Sequence, residues 1–189
     1  MDTAERLIES TRELLWERGY TGTSPKAIQQ HAGAGQGSMY HHFSGKPDLA
    51  LTAMRRSAQE LVAQADARMS GDGTAVERVS AYLLRERDAL RGCRVGRMAM
   101  DPDVIDSPEL RQPVRETFAW LRGRLAEIVA EGVAAGEFDT ALDPRDTAAM
   151  ITAVVQGGYV LARAEGSQEP FDRAVRGAVA LLAARAPGK

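Results

Sequence analysis

The stretch TGTSPKAIQQHAGAGQGSMYHHFSGKPDL, residues 21–49, places three helix beginnings close together. Ser24 followed by Pro25 predicts an N-cap and first-turn pair, because the serine oxygen accepts from free helix N–H groups and proline lacks the N–H that would go unpaired there. This short helix ends near Gly33, and residues 32–35 read as a turn. Gly35 then caps a second short helix through Gln36, Gly37, Ser38, Met39, Tyr40, His41, His42 and Phe43. Met39 and Phe43 point one way, which leaves Gln36, Ser38, Tyr40 and His41 for another surface. After Gly45, Lys46 and Pro47 open a long helix with Asp48 in its first turn, where a carboxylate faces the positive end of the helix dipole.

Two short helices joined by a tight glycine-bearing turn form the helix-turn-helix arrangement. Glycine and serine early in the second helix let the backbone approach a duplex, where helix-end N–H groups meet phosphates. Gln36 and Ser38 are short polar groups able to bond base edges, and Tyr40 and His41 can bond phosphate oxygens or pack on sugars and thymine methyls. Spacing alone leaves a plainer alternative open, since short helix pairs with glycine turns also occur in helical bundles.

Outward from this stretch, every segment reads as helix. Upstream, Ala4, Leu7, Ile8, Leu14 and Leu15 keep the spacing of one buried face, with Gly19 as the terminator. Downstream, Leu49, Met54, Ala58, Leu61, Val62 and Ala65 stripe the long helix as far as the GDG at 71–73. A fifth helix is expected over about residues 74–91. Residues 92–101 are short and mixed, stopped by Pro102. Ser107 and Pro108 begin a long helix that Gly136 ends, Asp143 and Pro144 cap the next, and a last one runs over about 170–184. Residues 148–162 are apolar on nearly all sides apart from Thr152 and Gln156, and a helix apolar all round must be covered all round. No strand alternation, repeat or low-complexity linker stands out. The expected fold is all-α with about nine helices: an N-terminal three-helix helix-turn-helix domain, residues 1–46, and a C-terminal helical bundle, residues 47–189.

Composition narrows function without supplying one. The chain has 189 residues, 44% hydrophobic and 26% charged, enough for a sizeable core. A net charge of −2 gives nucleic-acid binding no global support. The local pattern differs: residues 1–50 hold six acids against five lysines and arginines, yet five of those acids precede Arg18, and none lies between Arg18 and Pro47. All three histidines, His31, His41 and His42, fall in that acid-free stretch. Cys93 stands alone, so no internal disulfide or CxxC metal site can form, and it reads as a small buried hydrophobe. Charge in the first residues argues against a signal peptide and no stretch is long and apolar enough to span a bilayer, so a cytoplasmic address without membrane contact is expected. An enzyme finds no support in HExxH, P-loop or GxSxG patterns. No cofactor or metal is expected.

Residues 4–50 closely resemble the TetR family of one-component transcription regulators. The resemblance is carried in order and spacing by Thr23, Ser24, Ile28, Ala32, Gly33, Gly37, Met39, Tyr40, His42, Phe43 and Lys46. It implies a ligand-responsive repressor of double-stranded operator DNA. Thr23 and Ser24 would then contact phosphates, with Lys26 facing DNA; Gln36, Gly37, Ser38 and His41 would read bases; Tyr40 and Lys46 would clamp phosphates. For His42, a packed, backbone-bonded role stands beside a DNA contact. Two departures weaken the match: Gly35 replaces the usual Ser or Thr cap, and Gln36 stands where Lys or Arg is frequent, which lowers the expected affinity and salt dependence. The resemblance also implies a homodimer through the last two helices. Ala149, Thr152, Ala153, Gly157 and Gly158 are small enough for close helix approach, while Ala174, Val175, Ala178 and Leu182 offer a partner stripe; the competing reading is a monomer core. A small-molecule effector is expected among Leu61, Tyr82, Met98, Met100, Phe118 and Leu121, since Met and aromatic groups make adaptable apolar walls, although each also reads as ordinary core. Arg94 and Arg97 point to an acidic ligand or to surface charge.

Overall fold

The computed structural model describes residues 2–184, and among them it contains helices and turns with no strand. In chain order the helices are α1 (Thr3–Arg18), α2 (Pro25–Ala32), α3 (Gln36–His42), α4 (Lys46–Met69), α5 (Ala75–Leu83), α6 (Arg94–Met98), α7 (Pro102–Asp106), α8 (Pro108–Ala134), α9 (Pro144–Glu165) and α10 (Glu169–Ala184). The expected caps are in place. Ser24 Oγ accepts from the Ala27 amide, Asp143 accepts from the amides of Arg145 and Asp146, and Gly19 leaves α1 at a φ of 77°.

Ten helices among the described residues, rather than about nine, follow from residues 83–106. The fifth helix stops at Leu83, well short of residue 91, because the Arg87 guanidinium donates to the carbonyls of Tyr82 (2.6 Å), Leu83 (2.8 Å) and Arg85 (3.1 Å). The side chain thereby occupies the acceptors that a continuing helix would have used. Residues 92–101 contain α6, capped by Cys93, whose Sγ accepts from the Gly96 amide at 3.2 Å. Cys93 is half-buried in that role, which corrects its reading as a buried hydrophobe. Pro102 opens α7 instead of stopping a segment, since a first-turn proline gives up no needed N–H.

By packing, the chain forms two compact units, residues 1–61 with 93–117 and residues 62–92 with 118–189. In the first, Leu7, Leu14, Ile28, Met39 and Leu49 are fully buried. Arg12 is buried with them and satisfied by Ser57 at 3.1 Å, by both oxygens of Glu9, and by Glu60. Arg56 pairs with Glu5 and Glu9, so α1 and α4 are joined by apolar packing and by a shared ion network. Burial works against the Glu9 carboxylate, but the two arginines hold it below the usual carboxylate range.

In the second unit, Phe138, Leu125 and Ile128 form the centre, and the Tyr159 and Phe171 rings meet at 4.8 Å where α9 and α10 pack. The α10 residues Val175, Ala178 and Leu182 are buried, so most of the stripe expected to face a partner is consumed within the chain. Gly158 is consumed too: a Cβ on it would lie 2.9 Å from the Phe171 ring. Thr152 is buried with its hydroxyl on the Ala148 carbonyl.

Space decides the sign of glycine substitutions in α8. A Cβ at Gly132 would lie 2.4 Å from the Phe138 ring and 2.6 Å from Ala75 Cβ, whereas Gly123 faces open space. Gly132→Ala should destabilise by about 1–3 kcal/mol through overpacking, and Gly123→Ala should stabilise by up to about 1 kcal/mol through helix propensity. Urea denaturation of the two variants should show midpoints displaced in opposite directions.

Candidate nucleic-acid interface

The turn that aims α3 is held by both neighbouring helices. Gly33 adopts the left-handed conformation at φ 59°, and the amides of Gly33 and Ala34 bond the carbonyls of Gln30 and Gln29. This closing pattern satisfies the last acceptors of α2 and is available to glycine at no steric cost. Arg6 Nε in α1 donates to the Ala32 carbonyl at 3.2 Å, fixing the same turn from the other side. Gly35 caps α3 without a side-chain bond, as the missing hydroxyl requires.

Only one large side chain of α3 is fully buried, Met39, and its sulfur lies 3.5 Å from the Gln29 amide nitrogen. Phe43, just past the helix, is half-buried. Gln36, Gly37, Tyr40, His41 and His42 are exposed and Ser38 is half-buried, so the polar side of α3 faces outward. His42 is turned out beside His41, with ring centroids 5.0 Å apart, which removes its packed, backbone-bonded reading and adds it to the exposed surface. Sequence spacing could not decide this, because the residue lies at the end of a seven-residue helix where either side is accessible.

At the start of α2, Ser24 and Lys26 are exposed. Thr23 is placed otherwise: it is 1% exposed, and its hydroxyl donates to the Gly19 carbonyl at 2.7 Å. That bond fixes the turn between α1 and α2 instead of presenting the side chain to a surface. Lys46 is half-buried at the head of α4, with Nζ 3.9 Å above the Tyr20 ring. Burial lowers its pKa, opposed by the nearby Asp103 and Asp101 carboxylates.

The expected effector residues fall in different surroundings. Met98, Tyr82 and Leu121 are buried, Leu61 and Phe118 are half-buried, and Met100 is 81% exposed. Leu61, Met98 and Met100 belong to the first compact unit, and Tyr82, Phe118 and Leu121 to the second. Met98 borders a cavity of about 10 Å³ in the first unit, with Leu15, Met54 and Val114 among the other walls. Such a volume is roughly that of a single water. Among the described residues no cluster of His, Cys, Asp and Glu is arranged to hold a metal, and no helix is long and apolar enough to cross a membrane.

Two family descriptions match this chain: the tetR family of bacterial regulatory proteins over residues 7–53, and the tetracyclin repressor-like C-terminal domain over residues 75–178. A TetR-family transcriptional regulator from Agrobacterium tumefaciens has the same fold with a TM-score of 0.86, at 23% identity, covering 95% of this chain and 97% of that one. The FadR regulator of Bacillus subtilis, solved in complex with stearoyl-CoA, aligns with a TM-score of 0.73 at 19% identity over 95% of this chain and 97% of that one. The fatty acid metabolism regulator protein of Bacillus subtilis is 24% identical over 147 residues, 77% of this chain and 76% of that protein. With the N-terminal match lying over the helix-turn-helix and the C-terminal match covering more than half of the chain, this protein belongs to the TetR family of ligand-responsive, DNA-binding transcription regulators.

Proposed function

We propose that the chain is a repressor that binds a palindromic operator as a homodimer, through residues 1–46 of each copy, and releases it when residues 47–189 take up an apolar or amphipathic small molecule in the cytoplasm. The observation that carries the reading is the outward polar side of α3, set in a stretch with no acid between Arg18 and Pro47. Gln36, Gly37, Ser38 and His41 read base edges from the start and outer side of α3, joined by His42. Ser24, Lys26, Tyr40 and Lys46 meet phosphates, while Thr23 serves by holding the turn.

Dimerisation is supported by what α9 leaves uncovered. Ala149, Met150, Ala153, Gly157, Val160 and Leu161 are exposed along one helical side, and Gly177, Ala180 and Leu181 are exposed on α10. An apolar stripe of this length on an isolated chain marks a contact surface, and its small residues permit close helix approach. A two-fold axis through it makes the interface self-complementary, and a symmetric pair of reading heads calls for a roughly palindromic operator with half-sites about one helical turn apart or somewhat more. The effector class is supported by the apolar character of Leu61, Tyr82, Met98, Met100, Phe118 and Leu121 and by the amphipathic stearoyl-CoA in the FadR complex. Release requires only that the effector bind the operator-incompetent conformation better, by a typical coupling of about 1–3 kcal/mol.

Selection of bound sequences from random duplex DNA should enrich a palindrome, and failure to enrich any sequence would exclude the reading. On the selected duplex, Lys46→Ala should weaken binding to all sequences alike and lower the salt slope by about one. Gln36→Ala should instead change sequence preference, by about 1–3 kcal/mol at the base it reads. Val160→Asp, which puts a charge in the middle of the uncovered stripe, should yield monomers in analytical ultracentrifugation and reduce operator binding to that of a half-site.

A further inference from the structure

Residues 93–117 pack in the same compact unit as the helix-turn-helix, although more than forty residues separate them from it in sequence. Among their polar links to it is Asp101, which is 7% exposed and sits at the N-cap of α7. An aspartate there ordinarily caps its own helix. This one makes no such side-chain bond. Its two oxygens instead accept from the Thr21 amide at 2.9 Å and the Thr21 hydroxyl at 2.8 Å, eighty residues upstream. Gly19 gives way to it: φ is 77°, and a Cβ there would lie 2.8 Å from Asp101 Oδ2. Two further links dock α6 on α1. Arg94 pairs with Glu13 while lying over the Trp16 ring at 4.0 Å, and Arg97 reaches the Glu17 carbonyl at 3.5 Å.

The turn gripped by Asp101 carries both ends of the phosphate-facing surface. Thr21 is three residues before Ser24, the cap of α2, and adjoins Tyr20, whose ring supports Lys46 at the start of α4. We infer that Asp101 is a positioning residue for operator recognition: it holds the α1–α2 turn so that Ser24 and Lys46 meet the DNA backbone in the register that lets α3 read bases. The inference rests on the operator-binding reading above. Burial alone would raise the Asp101 carboxyl, but its bonds to Thr21, with the nearby Tyr20 and Val104 amides adding to them, hold it below the ordinary range, so it is anionic when it grips the turn.

Positioning and plain electrostatics predict opposite signs. Removing an acid from a DNA-binding unit should tighten binding by charge alone, whereas freeing the turn should weaken it. Full-length Asp101→Ala should lose roughly tenfold or more on the selected duplex, the scale of a hydrogen bond to a charged group. Binding to a scrambled duplex should stay the same or tighten, so that discrimination falls. Asp101→Asn should lie between wild type and Asp101→Ala. Amide hydrogen exchange at residues 21–28 should accelerate in both variants, with α9 and α10 unchanged. If Asp101→Ala fails to fold, Thr21→Val, which deletes only the hydroxyl bond, should give a smaller loss of the same sign. Retained or tighter binding to the selected duplex with discrimination intact, or unaltered exchange at residues 21–28, overturns the inference. A wild-type protein that selects no duplex would defeat the operator reading instead, and the exchange measurement would still judge Asp101.

Discussion

A seven-residue helix has too few internal hydrogen bonds to persist by itself, so α3 exists only because its one buried knob, Met39, is enclosed by the helices before it. Everything the outer side of α3 can do follows from that enclosure. The Gly33 turn sets where α3 begins, Arg6 and the α2 carbonyls fix the turn, and the Gln29 amide lies against the Met39 sulfur. Because one side chain anchors the helix, the remaining positions are free to be polar. They can vary at little cost to the fold, so the outer surface of α3 and the core scarcely compete for residues.

The same unit spends buried charge on rigidity. Arg12, nearly inaccessible, is matched by Glu9, Glu60 and Ser57, and Arg56 extends the network to Glu5. A buried cation is tolerated only when its donors are satisfied, and here the satisfying groups come from both α1 and α4. Sliding either helix along the other would strand the guanidinium without partners. The ion network therefore specifies the register between these helices more sharply than the apolar contacts, which tolerate small shifts. Lys46, at the head of α4, inherits its position from that register as well as from Tyr20.

In the second unit, α9 is divided around its circumference. One side packs on α10 so closely that Gly158 has no room for a methyl group, and the opposite side carries small and medium apolar residues facing outward. A helix apolar all round needs two covers. The chain itself supplies one of them.

Helix type, order and most boundaries were legible in residues whose effect is local. Ser24–Pro25, Gly33, Asp143–Pro144 and Gly136 act on the backbone within a turn of themselves, and the three-and-four spacing of Leu7, Ile8, Leu14 and Leu15 announces a buried face wherever the partner comes from. The spacing of Gly33, Gly37, Met39, Tyr40 and Phe43 likewise sufficed to mark α3 and its outward side. Relations between distant segments were not legible. That Arg87 would end α5 early, that Thr23 would be buried against Gly19, that Val175 and Leu182 would be buried within the chain, and that Asp101 would bond Thr21 instead of capping its own helix all depend on which surfaces meet in three dimensions. A cap or a periodicity is an interaction of neighbours, and so is written in order along the chain; the destination of a long side chain is settled only after the helices have packed.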